Sequence, residues 1–298
     1  MKWIFKPYRY AIIFSLCLSL VFGYHMLATF VLPSNVQRLS STTTSSQKTA
    51  SSKATTSDKS YEDENISIQL EEKTIDHTQV YIAHIKVSSS EYLKTALAQN
   101  AFGNNVVAKT SETADQNQAI LAVNGDYYGA NQSGYVIRNG QILRDSVRQS
   151  SDKGDLAIYK DGSFKIIKEN EVSAQELLDQ GVVNLLAFGP SLVEDGQISV
   201  EEGQEVGQAM ASNPRTAIGQ IDENNYLMVV SDGRTSESQG LSLYQLAQVM
   251  KDQGAKTAYN LDGGGSSTMY FNGAVINKPT TNGSISERAV SDIVYIGY

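Results

Sequence analysis

The chain has almost no cysteine: Cys17 is the only one among 298 residues. That excludes an intrachain disulfide framework and any cysteine-based zinc site. Histidine is nearly as scarce, occurring at 25, 77 and 84 only. No H-E-x-x-H exists, so a zincin is excluded. A Ser-His-Asp triad would have to recruit His77 or His84 from the opening strands, where a lone His reads as structural. Five prolines exclude a collagen-like or Pro-rich architecture. Charged residues make up 19%, below the usual quarter. There is no basic excess either: 24 Lys and Arg face 32 Asp and Glu, for a formal charge of −8. Phosphate-backbone binding wants a basic surface, so nucleic acid is excluded as the main partner. The three glycines at 263–265 are followed by no G-K-[ST], do not fit G-x-G-x-x-G, and Gly264 to Thr268 fails G-x-S-x-G.

What the chain does have is unevenly distributed. Hydrophobic residues are 41%, enough for one large domain or two small ones. Tyr10 to Leu32 is an apolar run of 23 residues, preceded by Lys2, Lys6 and Arg9. About 20 helical residues span a bilayer core. Trp3, Tyr8 and Tyr10 suit the interface, and the basic flank leaves the N-terminus in the cytoplasm with the body outside. The run is long for a signal-peptide core and no A-x-A site closes it, so residues 1–33 read as an uncleaved signal anchor. Residues 34–60 hold 15 Ser or Thr among 27. Such a segment buries too little apolar area to offset chain entropy, and reads as a disordered stalk lifting the body off the membrane. Residues 61–298 carry 17 basic and 31 acidic side chains. A body this acidic must capture an anionic substrate with a local Arg cluster or with backbone N–H groups.

The body opens with two alternating apolar runs, Ile66-Ile68-Leu70 and Val80-Ile82-His84, which predict strands. Glu91 to Gln99 reads as a short helix, and Ala119 to Asn124 as a strand. Asn139-Gly140, Asp161-Gly162, Asp195-Gly196 and Asn272-Gly273 each mark a hairpin. Ser173 with Glu176, and Ser242 with Gln245, are capping boxes that open helices. Gly181 ends the first helix and Gly254 the second. Ala217–Ile221 and Tyr226–Ser231 flank a turn, and Val294 to Ile296 reads as a closing strand. Many strands with a few interspersed helices predict an α+β fold built on a twisted mixed sheet with several hairpins.

Acids and arginines recur at strand ends beside glycine. The sharpest segment is Asn260-Leu261-Asp262-Gly263-Gly264-Gly265-Ser266-Ser267-Thr268-Met269. Three successive glycines cost backbone entropy unless the turn needs positive φ or close approach to a ligand. Their N–H groups can form an anion nest, and Asp262 can serve as acid, base or cation ligand. Read blandly, the segment is a glycine turn capped by Asp262. Asn124-Gly125-Asp126-Tyr127-Tyr128 ends another strand, with two tyrosines that can stack on a sugar ring or pack in a sheet. Asn213-Pro214-Arg215-Thr216, Asp232-Gly233-Arg234 and Glu287-Arg288 follow the same pattern. Guanidinium pairs suit phosphate and paired carboxylates suit glycosidic cleavage. Acids at strand ends also suit Ca²⁺ or Mg²⁺, with Asp126, Asp232 or Asp262 as candidate ligands, and no other cofactor is indicated.

These segments, in this order over about residues 115–298, resemble the phosphodiester glycosidase family. Residues 61–114 match it only vaguely, and Ala289 stands where the resemblance leads one to expect a Pro after Arg288. The resemblance implies hydrolysis of a sugar-1-phosphodiester at the anomeric C–O bond. It implies Asp262, Asp232 or Glu287 as base or nucleophile. It implies Arg215, Arg234 and Arg288, with the amides and hydroxyls of Gly263, Gly264, Gly265, Ser266 and Ser267, as the phosphate clamp. Asn124 and Asp126 would contact sugar hydroxyls or orient an arginine. With the anchor, this makes an extracellular hydrolase of a cell-surface or exopolysaccharide glycan. The alternatives are a non-catalytic surface module that binds phosphorylated glycan and a partner in polysaccharide export.

Overall fold

The computed structural model describes residues 7–39, 54–149, 154–206 and 212–298. Its centre is two facing antiparallel sheets. The larger has nine strands, with Thr257–Asn260, Arg215–Asp222, Asn225–Ser231, Thr78–Val87 and Ile66–Ile75 adjacent in that order. The smaller has five, in the order Ala274–Val275, Met269–Phe271, Leu121–Asn124, Asp292–Ile296 and Leu93–Leu97. Helix α1 is Pro7–Phe30, α2 is Thr110–Gln116, α3 is Ala174–Asp179 and α4 is Leu243–Asp252.

Side chains alternate across a strand, so a strand buried on both faces feeds two cores. In Thr78–Val87, Val80 and Ile82 pack with Leu243, Leu246 and Met250 of α4. Tyr81, Ala83 and Ile85 face the other way, toward Leu121, Val123, Val294 and Ile296 of the smaller sheet. The smaller sheet repeats the division: Ile293 and Tyr295 point outward with Ala114 of α2. The order of layers is therefore α4, sheet, sheet, α2. A third sheet of five strands, including Val136–Arg138 and Val182–Leu186, packs with α3.

The α+β class expected from the sequence holds, and every strand pairing among the described residues is antiparallel. Hairpins close at all four expected Asn-Gly and Asp-Gly pairs, with positive φ at each pair. Both capping boxes form, Ser173 with Glu176 and Ser242 with Gln245. The helix expected over Glu91–Gln99 is corrected: Ser90–Tyr92 is one 3-10 turn and Leu93–Leu97 is a strand. It pairs with Asp292–Ile296, an edge that local helix propensity does not register.

The expected stalk is also corrected in part. Ser34–Arg38 is a strand paired with Ala101–Asn104, and Thr55–Thr56 is paired with Ser60–Glu62. The pairing is through main-chain groups, which is why five solvent-exposed side chains gave no sign of it. Residues 40–53 lie outside the described residues. Helix α1 is the one described helix long and apolar enough to cross a membrane, over Tyr8–Phe30 with none of that span buried, and a signal sequence has the same properties.

Candidate active site

The two sheets meet end to end at Asn124 and Asp262. Asn124 is fully buried at the end of its strand. Its Nδ2 donates to the Asp262 carbonyl (2.7 Å), and its Oδ1 accepts from Thr216 Oγ1 (2.8 Å) and the Thr268 N–H (3.3 Å). One side chain thus ties the smaller sheet to the Arg215–Asp222 strand and to both sides of the glycine turn. Its role here is to position Asp262.

The Asp262 carboxylate is 7% exposed. Its Oδ2 accepts from Ser266 Oγ (2.7 Å) and Arg288 Nη2 (2.8 Å), and its Oδ1 from the Gly263 N–H (2.9 Å). Burial pushes its carboxyl above the ordinary range, while Arg288 and Ser266 pull it back. Arg288 also donates from Nε to Ser266 Oγ (2.8 Å) and from Nη2 to the Gly263 carbonyl (3.1 Å), and its side chain remains 43% exposed. Asp262 and Arg288 are therefore one rigid unit with a face to solvent.

That unit lies between two cavities and lines both. The first, about 150 Å³, is also lined by Asn213, Arg215, Arg234, Asn260 and Phe188. The second, about 200 Å³, is also lined by Asn105, Val107, Asp126, Tyr127 and Ser291. Neither alone reaches the ~300 Å³ of an ordinary small-molecule site; side by side they do. A larger cavity of about 580 Å³ near Thr95, Tyr159 and Asn184 is remote from these carboxylates and arginines.

The glycines earn their place by close approach rather than as an open nest. The N–H groups of Gly264, Ser266 and Ser267 are bonded to Pro214, Gly263 and Gly264 carbonyls. Gly264 has φ +63°, and a Cβ there would stand 2.9 Å from Arg234 Nη2. Gly265 would meet Thr281 Oγ1 at 2.5 Å. So the turn lets a guanidinium lie directly on the backbone. Of the amides expected to form a nest, those of Gly263, Gly264, Ser266 and Ser267 bond within the turn or to Pro214. Ser267 Oγ is buried without a hydrogen-bond partner.

Arg234 donates from Nε and Nη2 to Asn213 Oδ1 (3.2 and 2.9 Å) and has no carboxylate partner among the described residues. Arg215 is buried, donates from Nε to the Leu241 carbonyl (3.0 Å) and is ion-paired with Glu205. Around the first cavity, the guanidinium groups of Arg215, Arg234 and Arg288 and the carboxylates of Asp262 and Glu205 leave one positive charge in excess. That is the complement of a phosphodiester monoanion.

Of the remaining expected site residues, Asp232 and Glu287 lie away from both cavities, and Asp126 lines the second. Asp232 is buried and accepts from the Lys278 N–H (2.8 Å), Asn277 Nδ2 (3.1 Å) and Tyr81 OH (3.3 Å); it lines neither cavity. Glu287 accepts from the Ser111 N–H (3.0 Å) and Oγ (2.6 Å), so it ties down the first turn of α2. Asp126 lines the second cavity, but its Oδ2 is held by Arg138 (2.9 Å) and the Ala187 N–H (2.8 Å). Asp126, Asp232 and Asp262 each have different donors. No group of three His, Cys, Asp or Glu side chains among the described residues could hold a metal ion. The three expected cation ligands are not brought together.

Sequence reasoning missed Arg138, a fully buried guanidinium bonded to both Asp126 (2.9 Å) and Asp292 (2.7 Å). It also missed Asn213 and Asn260. Asn260 stood inside the sharpest motif, and its Oδ1 is buried without a donor at the cavity wall. Tyr128 is buried, stacked on Phe102, and is packed with Arg138; Tyr127 is 47% exposed.

The family model described as phosphodiester glycosidase matches residues 117–297, which contain Asn124, Asp126, Arg138, Asn213, Arg215, Arg234, Asp262 and Arg288. The chain belongs to the phosphodiester glycosidase family. Among its relatives is the human N-acetylglucosamine-1-phosphodiester alpha-N-acetylglucosaminidase, 30% identical over 191 residues, covering 58% of this chain and 36% of that one. The SPbeta prophage-derived uncharacterized protein YomE of Bacillus subtilis is 29% identical over 188 residues, covering 62% and 29%. This phosphodiester glycosidase chain spans about a third of the length of those curated relatives. The zebrafish N-acetylglucosamine-1-phosphodiester alpha-N-acetylglucosaminidase catalytic domain, auto-inhibited by pro-peptide, has the same fold. Its TM-score is 0.61 at 24% identity, covering 78% of this chain and 83% of that one.

Proposed function

We propose that the chain hydrolyses a glycosyl-1-phosphodiester at the anomeric carbon, outside the cell, while anchored by α1. The observation that carries this reading is the buried Asp262 carboxylate, fixed beside three arginines on the wall shared by the two cavities. The phosphodiester lies against Arg288 on the wall that the two cavities share, with the sugar in one cavity and the second ester group in the other. The bond from the anomeric carbon to the phosphate oxygen breaks, and water supplies the oxygen that replaces it, either directly with Asp262 as base or by displacing Asp262 from a glycosyl-enzyme. The products are the free sugar and a phosphomonoester.

Only Asp262 among the three expected catalytic acids lines the cavities, since Asp232 and Glu287 are committed to main-chain and hydroxyl donors. One carboxylate suits this reaction. A phosphate leaves readily as an anion, so the general acid that ordinary glycosidases need is dispensable. What the reaction needs is charge stabilisation on the departing phosphate, which Arg234 and Arg288 supply in a partly water-excluded site. Asp262 then serves as base or nucleophile toward the anomeric carbon. Glycans of the cell surface or exopolysaccharide are the substrate class that fits an exported, anchored enzyme.

Hydrolysis of a chromogenic sugar-1-phosphodiester in ¹⁸O-labelled water tests this. Label is expected in the released sugar. Label in the phosphate would mark a phosphoesterase and overturn the reading. Binding of the ester without turnover would support a glycan-binding module instead.

A further inference from the structure

The end of α1 and the second cavity are joined by one residue. The last carbonyls of a helix have no partner within it. Here Asn105 Nδ2 donates to the Thr29 carbonyl (3.1 Å) and the Leu32 carbonyl (3.2 Å). The Asn105 main-chain N–H donates to the Gly129 carbonyl (3.0 Å), and the neighbouring Asn104 Nδ2 to the Gly129 and Asn131 carbonyls (3.3 and 3.0 Å). Gly129 and Asn105 both line the cavity that Asp262 and Arg288 share. The chain leaving α1 is held a second time, since Ser34–Arg38 pairs with Ala101–Asn104. There is no slack between the apolar span and the body at this point.

The mouth of the cavity has the matching surface. Val107 and Tyr127, both lining it, are 38% and 47% exposed. Tyrosine at a bilayer surface sits with its ring among headgroups, and exposed apolar side chains beside a span end meet the same zone. A body carrying 31 acids against 17 bases is not drawn to an anionic membrane by charge, so the double attachment is what holds this face down.

Resting on the function proposed above, we infer that the enzyme works at the membrane surface. Its substrate is a glycosyl phosphodiester whose other ester is a lipid in the outer leaflet. The lipid phosphomonoester product stays in the bilayer and the sugar leaves into solvent. The second cavity, opening beside the end of α1, receives the lipid ester of the phosphate, and the sugar lies on the far side of Arg288 in the first cavity.

The test uses the full-length protein reconstituted in phosphatidylcholine vesicles, with and without a Gly/Ser insert of about 20 residues between Pro33 and Ser34. Two substrates are compared: a GlcNAc-1-phosphodiester of a long-chain alcohol held in the vesicles, and its water-soluble methyl ester. The insert is expected to lower turnover of the vesicle-held ester by on the order of ten-fold or more, the scale of effects set by tethering geometry. Turnover of the methyl ester is expected to change less than two-fold. Equal turnover of both esters with and without the insert would overturn the inference and leave the hydrolase reading standing. No hydrolysis of either ester by the uninserted protein would overturn both. A measurement free of activity covers an insert that disturbs folding. Trp3 is the one tryptophan, so Tyr127→Trp in a Trp3→Phe background reports position 127 alone. Quenching by brominated lipid is expected, and an unquenched Tyr127→Trp protein would overturn the inference.

Discussion

Asn124 and Asp262 are joined across 138 positions of sequence by a 2.7 Å hydrogen bond from a side-chain amide to a main-chain carbonyl. The same amide group accepts from Thr216 and Thr268. Asn124→Ala strands three buried polar groups, each costing about 1–3 kcal/mol when left unpaired. A lower urea midpoint is expected. Turnover should fall further than the stability loss explains, because the strand end that carries Asp262 is released. Equal activity per folded molecule would show that Asn124 only stabilises.

Asp262→Asn keeps the shape of the side chain but removes its charge. A turn cap tolerates that exchange, whereas a base or nucleophile does not. The variant is expected to melt near the wild-type temperature and to lose ~10²-fold or more in kcat, the lower end of what acid–base groups contribute. Retention of wild-type turnover would leave Asp262 as a cap.

Burial raises the Asp262 carboxyl and Arg288 opposes that rise. Activity needs the ionised form, so it falls on the acid side at a pH above the ordinary carboxylate range. Arg288→Gln removes the opposing charge, and the acid limb of kcat/KM should move to higher pH. The whole profile should also drop, since the same guanidinium faces the phosphate. A limb that stays in place would separate Arg288 from the titrating group.

Asp292 is buried beside Asp126, and the two share Arg138. Burial first and Asp126 second push its carboxyl up from 3.8 to about 7, with Arg138 opposing. Between those values the folded chain keeps a proton that the unfolded chain has released. This group's contribution therefore shrinks as pH rises through that window. Asp292→Asn removes the dependence. The Tm of the variant relative to wild type is expected to climb from pH 4 to pH 7.5, whatever its offset at pH 4. A flat difference would mean that Asp292 is ionised throughout.

Short-range chemistry was legible in the sequence. Asn-Gly and Asp-Gly pairs fixed four hairpins, and two capping boxes placed α3 and α4, because turns and caps are decided within a few residues. Asp262, Arg215 and Arg234 were legible as a set because each stands beside glycine or proline near a strand end, and Arg288 because it closely precedes the last strand. Long-range chemistry was not. Leu93–Leu97 looked helical because its partner strand lies about 200 positions later. Glu287 looked catalytic because Ser111, which it holds, is equally far away. Arg138 sat beside an Asn-Gly turn like any surface arginine, and only the approach of Asp126 and Asp292 makes it a buried ion cluster.

The Asp292–Ile296 strand lies between Leu121–Asn124 and Leu93–Leu97, with Arg288 just ahead of it. The middle strand of the smaller sheet thus follows, in chain order, both of the strands that it joins. Until it arrives, the two strands it joins have no common neighbour, Arg138 has one carboxylate instead of two, and Asp262 has no guanidinium. A chain that emerges from its N-terminal end therefore has no complete Asp262–Arg288 unit until this part of it follows, and the docking of one five-residue strand then joins the two halves of the sheet.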